Sequence, residues 1–577
     1  MLCVVLLGLA FAHLPASGGG RARMDRALKE RIAQGRHDDV RVIIRTRPAA
    51  RTGVEMKIRG RRYEVLALHQ EPAAVTAQVP VADLEDLSRE PGIESLSIDA
   101  EVTSFGTLPT LAQNTLLGTL GLPEPALTGA GVGVAVVDSG IVNHPGIPVN
   151  AFYDFTKGGA AAKPNDHYGH GTHVAGLIAD SQGWSDAPYR SLARNAKLIG
   201  LKVLDGNGAG YTSNVIKAIE FAIANKAALG IDIINLSLGH PIYEPAASDP
   251  LVATVEAAVR AGIVVVVSAG NQGADPVTGV VGYAGITSPG NAPSAITVGG
   301  VDTQNTLVRG DDAVATYSSR GPTWYDGYAK PDIVAPGRRI VSFMAKKSTL
   351  YNGYPANWQM IATRVYMSLS GTSMAAAVTS GTVALLIEAS RATNPARVAL
   401  SPNAIKAVLQ YSALPLGYED PLSQGAGELN PAGALALARA IDPTAPVGSA
   451  WAGNLPPPVT TIGGQALAWS QRIIWGDAIL SNDEILTNDA AWAQRIIWGD
   501  RIIWGDRIIW GDSIVWGNSI VWGNSIVWGN ATVGYLNGER IIWGDASGLT
   551  PSSIVWGNLL STGATAGTTL PDLDWQQ

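Results

Sequence analysis

Gly131-Val132-Gly133-Val134-Ala135-Val136-Val137-Asp138 is a glycine-introduced hydrophobic run that ends in a carboxylate. Short runs of Val, Ile and Leu recur at 197–203, 231–236, 263–267 and 295–298, and helical patterns stand between them at 170–180, 212–229 and 249–261. Strands that are short and apolar on both sides, alternating with helices, pair in parallel through crossovers. The pattern predicts an α/β domain with a doubly wound, mainly parallel sheet and helices on both faces. Reactive groups in such sheets gather at the carboxyl ends of strands, where Asp138 stands.

A second stretch, Ser370-Gly371-Thr372-Ser373-Met374-Ala375-Ala376-Ala377, opens a run at 374–390 that is apolar or small on almost every side and reads as a buried helix. The unpaired N–H groups and positive dipole end of that helix favour negative charge developing beside Ser373. Serine is also a common helix cap, so the hydroxyl acquires meaning only from its partners.

Apolar residues make up 46% of the 577 and charged residues 15%, as in a globular protein of more than one domain. The net charge of −7 gives no reason to expect a nucleic-acid partner. Residues 1–16 are rich in Leu, Val and Ala, too short to span a bilayer comfortably, and run into Ser17-Gly18-Gly19-Gly20. They read as the hydrophobic part of an export signal, here placed at 1–20, which predicts a secreted product with no membrane span. Cys3 is the only cysteine and would leave with that signal, so no disulfide is expected.

Residues 21–105 read as a small α+β unit, with strands at 40–44, 75–79 and 93–98 and a short amphipathic helix at 81–90. The α/β pattern spans 106–441. Residues 442–468, with Pro456-Pro457-Pro458, read as a linker. In 469–577, Arg-Ile-Ile-Trp-Gly-Asp begins at 472, 495, 501, 507 and 540, and Ser-Ile-Val-Trp-Gly-Asn at 513, 519, 525 and 553. A six-residue period suits β structure, either a stacked solenoid or a ladder of short hairpins. These copies hold nine of the 16 tryptophans, so the repeats either build a small apolar core or present a surface for glycan, cell-envelope or partner contact.

Asp138-Ser139-Gly140, His170-Gly171-Thr172-His173-Val174-Ala175-Gly176 and Gly371-Thr372-Ser373-Met374-Ala375 follow one another in the order Asp, His, Ser. Together they resemble the subtilisin-like serine proteases, a family with this chain order. The resemblance implies a peptidase domain at 106–441 with Ser373 as nucleophile, His170 as general acid and base, and Asp138 orienting the imidazole. It implies an oxyanion donor at Asn271, within Ser268-Ala269-Gly270-Asn271. It also implies a peptide-binding edge at Ser237, Leu238 and Gly239, and a pocket bordered by Ala269 and Gly270. The unit at 21–105 resembles the second half of the family's inhibitory prodomain through Leu84, Leu87, Pro91-Gly92-Ile93, Asp99 and Val102. Self-cleavage is then expected between about 100 and 114, with the prodomain acting as intramolecular inhibitor.

No cofactor is required by this chemistry. Many relatives bind calcium at oxygen-rich loops, but Asp154, Asp205 and Asp302 form no contiguous ligand pattern and no metal site is named. His173 reads as a structural member of its helix, and Asp166 and His167 as a solvated glycine-rich loop. Residues 342–369 exceed the family's usual length and either wall the cleft or form a surface excursion. Two readings of the whole chain remain at this level. One is a secreted endopeptidase made as a self-processing zymogen and acting on polypeptides. The other is a surface binding protein whose repeats carry the function and whose protease domain matures only itself.

Overall fold

The structure is a computed structural model. It describes residues 21–475 apart from 105–115, 123–126, 181–188, 276–279, 362, 418, 447–448 and 454; beyond 475 it describes only five short strands. The export-signal reading, the cleavage interval beyond 104 and most of the repeats therefore lie outside the described residues. The chain divides into two compact units between Ile98 and Asp99.

In the first unit a five-stranded sheet runs in the order Arg23–Met24, Ile93–Ile98, Asp39–Thr46, Ala74–Pro80 and Glu64–His69. It is antiparallel except for the first pair. Helices Arg26–Ala33 and Arg51–Gly60 supply Leu28, Val54 and Ile58 to a core that includes Val42, Ile44, Val75, Leu84 and Leu96. This is the two-layer α+β arrangement that the alternating apolar positions predict.

The second unit carries, in chain order, β1 (Glu101–Ser104), β2 (Gly133–Asp138), β3 (Val149–Asp154), α1 (His170–Ile178), β4 (Lys197–Lys202), β5 (Ala209–Tyr211), α2 (Thr212–Ala224), β6 (Ile231–Leu236), β7 (Leu238–Gly239) and α3 (Pro250–Arg260). Then come β8 (Val264–Ser268), β9 (Ile296–Asp302), β10 (Ile333–Pro336), β11 (Ile340–Phe343), β12 (Trp358–Ile361), β13 (Arg364–Leu369), α4 (Thr372–Ala392), α5 (Pro402–Tyr411) and α6 (Pro431–Ala440). The main sheet has the order β9-β8-β6-β2-β4-β3, with β10 also on β9. Every pairing among these seven strands is parallel. Its edges are finished by antiparallel two-residue strands, Ala313–Val314 and Ala160–Ala161. All of β2, β8 and β9 is buried, which is why their sequences show no polar alternation.

Helix α4 is long and apolar enough to cross a membrane, yet its residues 372–387 are all buried within the unit. It packs on α1, β6, β8, β9 and β10. Its polar residues turn inward to specific partners: Ser380 Oγ donates to Asn235 Oδ1 at 2.8 Å, and Thr379 and Thr382 bond back to the carbonyls of Ala375 and Val378.

Residues 442–468, read from composition as a linker, fold onto this unit. Val459–Ile462 and Gln465–Ala468 form an antiparallel hairpin, and Trp451, Ile462 and Trp469 enter the main core. The first repeat copy joins them: Arg472–Trp475 packs on α5, buries Ile473 and pairs antiparallel with Ala478–Ser481. Further along, Ile514–Val515 pairs in parallel with Ile526–Val527.

Candidate active site

Asp138 is the last residue of β2, fully buried and held beside Lys202 of β4 by the parallel register. His170 is the first residue of α1 and is 1% exposed. The strand end and helix start meet so closely that a Cβ on Gly171 would collide with the Gly140 carbonyl oxygen, so only glycine fits there. That approach brings His170 Nδ1 to 2.8 and 3.0 Å from the two carboxylate oxygens of Asp138. Ser139 N–H donates to Asp138 Oδ1 at 2.7 Å, so the carboxylate cannot swing away from the ring.

Ser373 stands in the first turn of α4 and is fully buried. It is locked reciprocally to Ser237. Ser373 Oγ donates to the Ser237 carbonyl at 3.1 Å, and Ser237 Oγ donates to the Ser373 carbonyl at 3.1 Å. Asn235 Nδ2 in turn donates to Ser237 Oγ at 2.9 Å. Asn271 Oδ1 accepts Thr372 N–H and Thr372 Oγ–H, each at 3.0 Å, while Gly270 N–H donates to Thr372 Oγ1 at 3.2 Å. These bonds hold the Asn271 amide by its carbonyl end beside the start of α4.

The peptide-binding edge expected at 237–239 already holds a strand of this chain. In β1, Ser104 pairs with Leu238 and Thr103 with Gly239; on its other side Thr103, Val102 and Glu101 pair with Ala209, Gly210 and Tyr211. Both pairings are antiparallel, so β1 lies between two rails, with Val102 fully buried. Gly270, at φ +105°, and Gly239 both border Thr287, which the sequence reading missed. A Cβ on Gly270 would lie 2.9 Å from Thr287 Cγ2, and one on Gly239 2.8 Å from Thr287 Oγ1. Thr287 therefore fills the space behind both glycines.

His173 is fully buried, with Nε2 3.0 Å from the Met367 carbonyl; burial, and then the neighbouring His170, push it down to about 3. It is neutral and structural. Asp166 corrects the solvated-loop expectation: it is 7% exposed, and its carboxylate takes bonds from Ser139, Tyr168, Gly169 and Thr172. The long segment after β10 forms the antiparallel sheet β11-β13-β12. Between β11 and β12, Thr349 N–H and Leu350 N–H donate to the carbonyls of His167 and Tyr168 at 2.8 and 3.1 Å. The segment thus buttresses the loop that leads into His170.

The three aspartates weighed for calcium are each engaged locally. Asp154 caps Thr156, Asp205 closes a turn onto Asn207 and Ala209, and Asp302 pairs with Arg338 and Arg339. Among the described residues no group of three or more His, Cys, Asp or Glu side chains is gathered to hold a metal ion.

A serine at a helix N-terminus with its Oγ–H turned to the Ser237 carbonyl, an imidazole hydrogen-bonded to a buried carboxylate, and an amide beside the start of the serine's helix are the groups that acyl transfer requires. The comparisons with known proteins agree with it. The model of the subtilase family matches residues 129–434. Serine protease AprX of Bacillus subtilis (strain 168) is 41% identical over 314 residues, covering 53% of this chain and 66% of that protein. The alkaline protease of Alkalihalobacillus alcalophilus is 33% identical over 330 residues, covering 56% of this chain and 72% of its own length. Subtilisin E of Bacillus subtilis (strain 168) is 33% identical over 326 residues, covering 54% and 70%. Among solved structures, fervidolysin of Fervidobacterium pennivorans superposes with a TM-score of 0.56 at 20% identity, over 76% of this chain and 64% of its own, a likeness of fold. With its parallel sheet, the order of its three motifs and these matches, the chain belongs to the subtilase family of serine peptidases.

Proposed function

We propose that the chain is a secreted serine endopeptidase, made as a precursor that cuts itself. The observation that carries this reading is the position of β1, a strand of the chain's own N-terminal segment, paired with Leu238–Gly239, the two residues that directly follow Ser373's partner Ser237. In the reaction, His170 takes the Ser373 proton as Oγ attacks the peptide carbonyl, and Asp138 steadies the imidazolium. The developing oxyanion is met by Asn271 Nδ2 and the Ser373 backbone N–H. His170 gives that proton to the amine that leaves as the C–N bond breaks and the acyl-enzyme forms, then takes a proton from the attacking water and returns it to Ser373 Oγ as the acid is released.

Substrate binds as an added strand, taking affinity from backbone bonds to β7 and β5. Ser104, the last residue of β1, lies opposite Leu238, which directly follows Ser237, so the cut is expected shortly after Ser104, within the interval 100–114. Asp99 supports retention of the cut strand: it accepts Ser213 N–H and Oγ–H at 2.8 Å each, at the start of α2. The segment 99–104 would then stay in the edge as an inhibitor until it is degraded.

The test is expression of the full chain in a protease-free host, with N-terminal sequencing of the product. The wild type should begin shortly after Ser104, and Ser373→Ala should keep its N-terminal segment. A mature-sized product from Ser373→Ala refutes self-cleavage. Digestion of an added unfolded protein separates the endopeptidase from a binding protein that matures only itself: the endopeptidase degrades it, and the self-maturing form leaves it intact.

A further inference from the structure

Asp166 lies between the two residues whose geometry matters most and touches neither. On one side Ser139 Oγ–H donates to Asp166 Oδ1 at 2.9 Å, and Ser139 is the residue whose N–H holds Asp138. On the other side Asp166 Oδ2 takes Thr172 N–H at 2.9 Å and Thr172 Oγ–H at 2.6 Å, while Oδ1 also takes Gly169 N–H at 2.8 Å. These bonds fix the first turn of α1, where His170 sits. Ser139 Oγ also accepts Gly171 N–H at 2.9 Å, and Thr172 Oγ1 accepts Val142 N–H at 3.1 Å. The result is a closed ring, Asp138–Ser139–Asp166–Thr172–Gly171–His170, in which one buried carboxylate ties a strand end to a helix start.

We propose that Asp166 is a positioning residue for the Asp138–His170 pair, setting the separation and tilt of the imidazole through Ser139 and Thr172. The inference rests on the peptidase reading given above. Gly169 N–H on Oδ1 and Thr172 N–H on Oδ2 can only donate, so both ends of the side chain at 166 must accept at once. Asparagine keeps the shape but offers a donor on one side, so Asp166→Asn should open the ring at one contact. A misplacement of the base of this kind is expected to lower kcat about 10- to 100-fold with KM within about twofold, because substrate is bound elsewhere, on β7 and β5.

The titratable groups facing the imidazole are Asp138 on β2, His173 on α1 and Tyr168 in the loop before α1, and Lys202 on β4 feels Asp166, Asp154, Asp138 and Asp205. Losing one negative charge beside the Asp138–His170 pair weakens the stabilisation of the imidazolium.

The experiment compares wild type, Asp166→Asn and Thr172→Val, each on a Ser373→Ala background for histidine titration by NMR and on the active background for kinetics. The proposal predicts a lower His170 pKa in Asp166→Asn and a weakened low-field signal of the Asp138–His170 hydrogen bond in both variants, together with the loss confined to kcat. Unchanged titration and hydrogen-bond signal in folded variants, with only a lower melting temperature, would overturn it. Should Asp166→Asn fail to fold, Thr172→Val, which removes one hydroxyl, decides through the low-field signal and kcat. Should the wild type itself cleave nothing, the peptidase reading fails, and the NMR signature still decides the positioning role.

Discussion

Replacing Trp469 by alanine tests whether the segment after the last α/β helix is part of the peptidase core. The indole is 4% exposed. Its ring lies against Gly433 of α6, where a Cβ would come within 2.8 Å, and meets Tyr411 edge-on with centroids 6.4 Å apart. Its Nε1–H donates to Thr460 Oγ1 at 2.7 Å, and the same oxygen accepts Asn430 Nδ2–H at 2.8 Å. Asn430 also reaches the Ser412 carbonyl and caps α6 at Gly433. Truncation removes roughly 200 Å² of buried surface and leaves a cavity; Trp→Ala in such a place costs about 3–5 kcal/mol.

Thr460 keeps its bond from Asn430, so the lost hydrogen bond adds little, and Trp469→Phe should cost only about 1–2 kcal/mol. The assay is urea unfolding of the full chain in a Ser373→Ala background, where autolysis is absent, followed by far-UV circular dichroism. If Trp469→Ala unfolds within about 1 kcal/mol of its parent, the segment is a tether and the core assignment is wrong.

Two other outcomes follow from the same geometry. Asn271→Leu keeps the volume but removes the amide, and kcat on a peptide substrate should fall about 100- to 1000-fold with KM nearly unchanged; a drop confined to KM would mean that Asn271 binds substrate and not the oxyanion. Asp312 is buried beside Glu428 with Arg309 bridging them. Burial, and then the Glu428 carboxylate, push it up from 3.8 to about 9. The folded state therefore binds more protons than the unfolded state between those values, and stability falls as pH rises through that window. Asp312→Asn imitates the protonated acid, so it should flatten that decline and raise the melting temperature most near pH 9. An unaltered slope would show that Asp312 is ionised in the folded protein.

Much of the site is legible in the chain because its parts are local. Asp138 ends an apolar run, His170 and Ser373 open helices, and Asn271 follows a strand; each position is declared by its neighbours in sequence. The alternation of runs likewise determines a parallel sheet. What only the tertiary structure decided depends on contacts between distant segments. Asp166 reads as one polar residue in a glycine-rich loop until Ser139, 27 positions away, and Thr172 close round it. The segment 342–369 resolves into a buttress of the His167–Tyr168 loop only when β13 pairs with β11. Residues 442–468 carry the proline content of a linker, yet Trp451 and Ile462 enter the core and Val459–Ile462 packs on α6, because apolar side chains seek whatever apolar surface the folded unit leaves uncovered. The same holds for β1, whose four residues form no pattern of their own and become a strand only between the rails of β5 and β7. Local propensity thus determined which residues face the chemistry, and long-range packing decided what holds them there and what lies in front of them.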